Sequence, residues 1–147
     1  EYNGYKAYWT DGAQMIAPHD KNTIDEVKKI SSIDAVKFTK IESNIIRIGT
    51  EVDQLYIDKT ASLSISKEAI SRQSNLKIVY TPLHGTGITL VPQLLEKFGF
   101  KNIHIVKEQA ISDGNFPTTP SPNPEEKVAL QMALDYAKQI DADLVLA

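Results

Sequence analysis

Leu76-Lys77-Ile78-Val79-Tyr80-Thr81-Pro82-Leu83-His84-Gly85-Thr86-Gly87 is the stretch that decides the fold. Its first five residues form a short β-branched run, and one proline and two glycines then punctuate the chain, so a strand is expected to stop at about Tyr80. Downstream, Leu90, Val91, Leu94, Leu95 and Phe98 fall at helical period on one face, with Gly99 just past the end. Pro92 is compatible with that helix only in its first turn, where its missing N–H costs no intrahelical bond, so the helix should begin near Thr89. Asn102 to Val106 reads as a second strand. Lys107 to Ser121 is an irregular stretch longer than a usual connection, which favours a functional or interface role.

Asn123-Pro124-Glu125-Glu126 carries the marks of a helix start: an Asn cap, Pro at the first helical position and acids at the positive end of the dipole. The helix should run through Val128, Met132, Ala133 and Tyr136 to about Ile140, and Leu144-Val145-Leu146 should follow as a third strand. Two right-handed β-α-β units with parallel strands are the expected arrangement, an α/β layering of sheet and helices. Ligand sites in such a sheet gather at the carboxyl ends of the strands, the edge from which the Thr81 to Gly87 turn and the loop after Val106 both depart.

The first half is less regular. Tyr5 to Trp9 is expected to be a strand, and Thr23 followed by Glu26 is a capping-box pattern that should open a helix with Ile24, Val27 and Ile30 on one face. Thr50 with Asp53 should open another, whose apolar positions include Val52, Leu55, Tyr56 and Leu63. Ser66 to Ser74 reads as a short helix, and Ala35 to Ile48 gives no clear element. A boundary near residue 40 divides the chain into 1–40 and 41–147.

Composition narrows the function. Of the 147 residues 41% are hydrophobic and 24% charged, the usage of a globular protein, and no apolar run approaches the length of a membrane span. Sixteen basic against nineteen acidic residues leave a net charge of −3 and no basic stripe, so nucleic acid and membrane are not expected partners. With no cysteine there is no disulfide, thiol nucleophile or Cys-ligated metal, which fits a cytoplasmic setting. His19, His84 and His104 are scattered, no metal-ligand spacing occurs, and Asp141 and Asp143 lie on the amino-terminal edge of the last strand.

His84-Gly85-Thr86-Gly87 reads in two ways. Standing where strand gives way to helix, its backbone amides could receive a phosphate; alternatively, its glycines only permit a tight turn against the sheet. It lacks the third glycine of a dinucleotide fingerprint and the Gly-Lys-Ser/Thr of a P-loop. Hence one open reading is a non-catalytic, flavodoxin-like doubly wound module that binds a phosphorylated ligand, and another is pure scaffolding.

Three stretches carry a family resemblance. Glu1-Tyr2-Asn3-Gly4-Tyr5-Lys6-Ala7-Tyr8-Trp9, with Asp11-Gly12-Ala13-Gln14 behind it, resembles the segment that follows the catalytic serine loop in the α-D-phosphohexomutases. Tyr80 to Gly87 is similar to the strand-to-helix turn of that family's second domain, and Phe116-Pro117 through Pro124-Glu125 to the same domain's loop and helix start in the phosphoglucomutase and phosphomannomutase branch. The resemblance implies the end of domain 1 over residues 1–40 and most of domain 2 over 41–147, cut before the metal-binding loop. It implies exchange of phosphate between the 1- and 6-positions of a hexose, with a phosphoserine donor, Mg2+ and glucose 1,6-bisphosphate as intermediate or activator. Of the catalytic groups it carries over only Lys6, associated with proton transfer or charge stabilisation at the phosphoserine; His84, Gly85, Thr86 and Gly87 are expected to support the metal loop instead of holding substrate. The isolated chain is expected to be inactive, and Tyr5, Tyr8 and Trp9, without their sheet partners, are expected to self-associate or pack on the second domain.

Overall fold

The computed structural model describes residues 6–147 and divides the chain into two units, the first ending at Ile46 and the second running from Arg47 to Ala147. In the second unit, β1 (Lys77–Tyr80), β2 (Asn102–Ile105) and β3 (Leu144–Leu146) form a parallel sheet in the order β2-β1-β3. Val79 stands opposite His104 on one side and Val145 on the other. A central parallel strand is covered on both faces, which is why Ile78, Val79 and Tyr80 are all buried and why this run is β-branched without alternation. Burying a side chain such as Val79 or Ile78 contributes roughly 1.5–3 kcal/mol.

Helix α4 (Val91–Phe98) returns the chain from β1 to β2, with Pro92 in its first turn and a short 3-10 turn, Thr86–Thr89, before it. Gly99 ends it at φ 114°, a left-handed cap that donates its N–H to the Leu95 and Glu96 carbonyls. Helix α5 (Lys127–Ile140) returns the chain from β2 to β3 and buries Ala129, Ala133 and Ala137. Their spacing of four puts them on one stripe, and their small size lets the helix lie close to the sheet, where Ala133 and Ala137 share a core with Val79 and Val106.

The start of α5 corrects the sequence expectation. Asn123 does not cap the helix: its Oδ1 accepts the Glu125 N–H (3.1 Å) and its carbonyl accepts the Glu126 N–H (3.0 Å), closing a separate turn. Glu126 is extended (φ −88°, ψ 125°), so no helix can begin before Lys127. Asparagine offers the backbone this local turn as a rival to helix, and here the turn prevails.

Helices α2 (Thr50–Ser62) and α3 (Lys67–Arg72) complete the unit, with α2 tied to α4 by an Asp58–Lys97 ion pair of 2.6 Å. Val52, Leu55, Tyr56 and Leu63, the apolar positions read from the sequence, are exposed, and the buried residue of α2 is Ile57. Periodicity revealed an apolar face but not which face the neighbouring helix would take.

In the first unit, Tyr8 bridges Gln14 in a hairpin closed at Gly12 (φ 80°), so the expected strand reduces to an isolated bridge; Tyr5 lies outside the described residues. Helix α1 (His19–Val27) begins four residues ahead of Thr23, whose hydroxyl donates to the His19 carbonyl (2.9 Å) as a mid-helix back-bond and not as a cap. His19 stacks on Trp9 at 4.4 Å. Ile30 falls beyond the helix, and no residue from 6 to 46 is buried. Among the described residues of the whole chain, no helix is long and apolar enough to cross a membrane.

Candidate functional site

At the carboxyl edge of the sheet β1 runs into Thr81, whose N–H donates to the Leu146 carbonyl of β3 (2.9 Å), while the Val106 N–H, just past β2, donates to the Tyr80 carbonyl (3.0 Å). The turn that follows contains two consecutive non-glycine residues in the left-handed region, Leu83 (φ 48°) and His84 (φ 62°), and the loop after β2 adds Phe116 (φ 49°). Each such residue costs roughly 1–2 kcal/mol, so the surroundings must hold the turn in this shape.

They do so through buried polar contacts. Gln109, fully buried, accepts from the Thr81 hydroxyl at its Oε1 (2.6 Å) and donates from its Nε2 to the Thr118 hydroxyl oxygen (2.9 Å). His84, also buried, lies 2.9 Å by its Nδ1 from the Ile111 carbonyl and 2.8 Å by its Nε2 from the Thr118 hydroxyl. Backbone bonds run alongside: the His84 N–H donates to the Gln109 carbonyl (3.0 Å) and the Asp113 N–H to the His84 carbonyl (3.1 Å). Turn and loop are thereby one hydrogen-bonded body.

The glycines owe their place to close approach. A Cβ on Gly85 would stand 2.9 Å from the Pro82 carbonyl oxygen, and one on Gly87 2.6 Å from the Tyr80 hydroxyl. Part of the turn's amides are committed as well: Leu83 N–H donates to the Thr81 hydroxyl oxygen (3.1 Å) and Gly85 N–H to the Pro82 carbonyl (2.8 Å). With His84 N–H on Gln109, three successive donors are engaged, whereas the Thr86 and Gly87 N–H groups have no acceptor among the described residues. Thr86 is exposed at the start of the 3-10 turn. Burial holds the Tyr80 phenol above its ordinary range, and hydrogen bonds from Lys97 and Gln54 hold the Asp58 carboxyl below its own.

Of the residues singled out from the sequence, His84, Gly85, Thr86 and Gly87 thus stand together, while Lys6 belongs to the first unit and is exposed. Gln109 and Thr118, which hold the turn, went unmarked because nothing in the sequence but the length of their loop draws notice. Beside Thr118 opens a groove of ≈ 730 Å³ lined by apolar residues such as Ile105, Val128 and Met132 together with Lys107, Glu108 and Asp135. No group of three or more His, Cys, Asp or Glu among the described residues could hold a metal ion, so these residues do not fit a Mg2+ site.

Parallel strands, helical crossovers and a structured turn at the carboxyl edge define a layered α/β domain, and comparison with known proteins gives its family. Residues 54–147 match the model of phosphoglucomutase/phosphomannomutase, alpha/beta/alpha domain II, and the chain belongs to that phosphohexomutase family. It is similar to a probable phosphomannomutase of Haemophilus influenzae, 35% identical over 100% of this chain and 30% of the relative. A Staphylococcus haemolyticus phosphoglucomutase is 35% identical over 100% of this chain and 27% of its own length. A Saccharomyces cerevisiae phosphoribomutase is 31% identical over 99% of this chain and 26% of its own. The chain therefore spans less than a third of the length of these relatives. No solved structure gives a significant match.

Proposed function

We propose that this chain works as part of a longer phosphosugar mutase, which moves a phosphoryl group between the 1- and 6-positions of a hexose through a phosphoserine and a bisphosphorylated sugar. The observation that carries this reading is the similarity along the whole chain to proteins named as mutases, joined to the domain II match. Phosphoryl transfer is mostly positioning and charge neutralisation, which divides the work between groups that touch the phosphoryl oxygens and a frame that holds them. Lys6 is the candidate for the first role, as an ammonium that can stabilise the oxygens or pass a proton. The Thr81 to Gly87 turn belongs to the frame, because the amides of Leu83, His84 and Gly85 and both nitrogens of His84 are engaged within the protein. The cysteine-free composition supports a cytoplasmic setting.

Steady-state kinetics on a longer mutase containing these residues test the reading. Lys6→Met is expected to lower kcat by about 100-fold or more with little change in KM for the hexose phosphate. His84→Ala is expected to reduce turnover through the frame. Unchanged kcat in Lys6→Met would remove Lys6 from the chemistry, and unchanged turnover in His84→Ala would remove the turn from the frame.

A further inference from the structure

We propose that Gln109 is the positioning residue of the carboxyl-edge turn, the middle link of a one-directional hydrogen-bond chain that locks both loops and leaves His84 no nitrogen for acid or base chemistry. The direction follows from which groups can donate. A carbonyl only accepts, so at the Ile111 contact the His84 Nδ1 must carry the proton. In the single-proton ring Nε2 is then an acceptor, and the Thr118 hydroxyl donates to it. Having spent its one proton, Thr118 must accept from Gln109, which fixes the amide with its nitrogen towards Thr118 and its oxygen towards Thr81. Thr81 spends its proton on that oxygen and accepts from the Leu83 N–H.

The chain thus runs without a break from the Leu83 amide to the Ile111 carbonyl, through four side chains, each donating once and accepting once. Reversing the Gln109 amide would make Thr118 donate to Gln109 and require a second proton on His84. Protonating His84 without that reversal would leave the Thr118 hydroxyl proton without an acceptor. Lys107, Glu108, Asp113, Glu125 and Glu126 are the charged residues on the two loops; all but Asp113 are exposed, and the Asp113 carboxylate accepts from Asn115 in its own loop. The left-handed Leu83 and His84 sit at the two ends of this chain, so the chain is what offsets their backbone cost.

These bond directions rest on this chain's own groups; only their meaning for catalysis, that His84 supports the site without moving protons, rests on the mutase reading. Nitrogen-15 NMR of the His84 ring in the 147-residue chain tests the directions with no substitution at all. The expected result is a protonated Nδ1 and a bare Nε2; a protonated Nε2 with bare Nδ1, or two tautomers in exchange, overturns the proposal. Gln109→Glu then probes the central link. A carboxylate cannot donate to Thr118, so the folded variant must take up one proton, on the glutamate or on His84, to complete the chain. Above the ordinary histidine range of about 6.5 its unfolding constant should therefore rise tenfold per pH unit relative to the parent. A difference from the parent that does not change with pH would contradict the proposal. Should Gln109→Glu not fold, the NMR result on the parent decides alone, and a failure of the mutase assay would leave that result standing.

Discussion

Gly87→Ala offers the sharpest test of why glycine stands in the candidate turn. A methyl there would lie 2.6 Å from the Tyr80 hydroxyl, about 0.8 Å inside the 3.4 Å at which ordinary contact begins. Tyr80 cannot easily yield: it is only 4% exposed and lies in β1 between two neighbouring strands. Overpacking of this kind costs about 1–3 kcal/mol. Removing the oxygen should remove the conflict, since the next atoms, Val91 Cγ2 at 3.6 Å and Tyr80 Cζ at 3.9 Å, are at normal distances. No hydrogen bond joins the Tyr80 hydroxyl to another described residue, so Tyr80→Phe alone should cost little. The assay is urea unfolding followed by far-UV circular dichroism on parent, both single variants and the double variant. The double variant is expected to recover most of the loss, with a coupling energy of about 1–2 kcal/mol. Additive effects, within about 0.5 kcal/mol, would refute close approach as the reason for Gly87.

Further expectations concern charge and assembly. Because burial raises the Tyr80 phenol, its contribution to stability should be complete below the ordinary tyrosine value of about 10 and lost as pH rises through the raised one; unfolding midpoints of parent and Tyr80→Phe should diverge in that window. Asp58 is shifted the other way, so the contribution of its pair with Lys97 should be present above the ordinary aspartate value and vanish as pH falls through the lowered one. Asp58→Asn should accordingly lower the unfolding midpoint slightly at neutral pH but not in strong acid or in 1 M salt, where the Debye length is about 3 Å. With Phe38, Ile46 and Trp9 exposed and no buried residue from 6 to 46, the chain is expected to self-associate, and sedimentation velocity showing a pure monomer at high concentration would contradict this.

What could be read in the sequence was governed by whether neighbours in the chain were also neighbours in the forces. The strands at Lys77–Tyr80, Asn102–Ile105 and Leu144–Leu146, and the helix between Pro92 and Gly99, follow from local signals: β-branched runs, a first-turn proline and a left-handed glycine. Asn123 and Thr23 misled because each side chain has two local uses, a cap or a turn in one case and a cap or a back-bond in the other. Only their surroundings choose between them. The apolar positions of α2 did not single out Ile57, its buried residue, for a longer-range reason, since nothing local says which side α4 will cover.

The candidate site divides along the same line. His84 and its glycines were visible because strand-to-turn punctuation marks them. Gln109 was not, because its importance lies in joining Thr81, 28 residues earlier, to Thr118. The left-handed backbone of Leu83 was also invisible: leucine has no local preference for that region, and the bond from its N–H to Thr81 appears only once the turn has formed.

Phosphorus NMR with glucose 1-phosphate bears most directly on the proposed role, that this chain is part of a phosphosugar mutase and not a catalyst by itself. The purified 147-residue chain is expected to leave the sugar phosphate unchanged, and a longer mutase containing it to convert it to the 6-phosphate. Conversion by the chain alone, or none by the longer protein, would contradict that role.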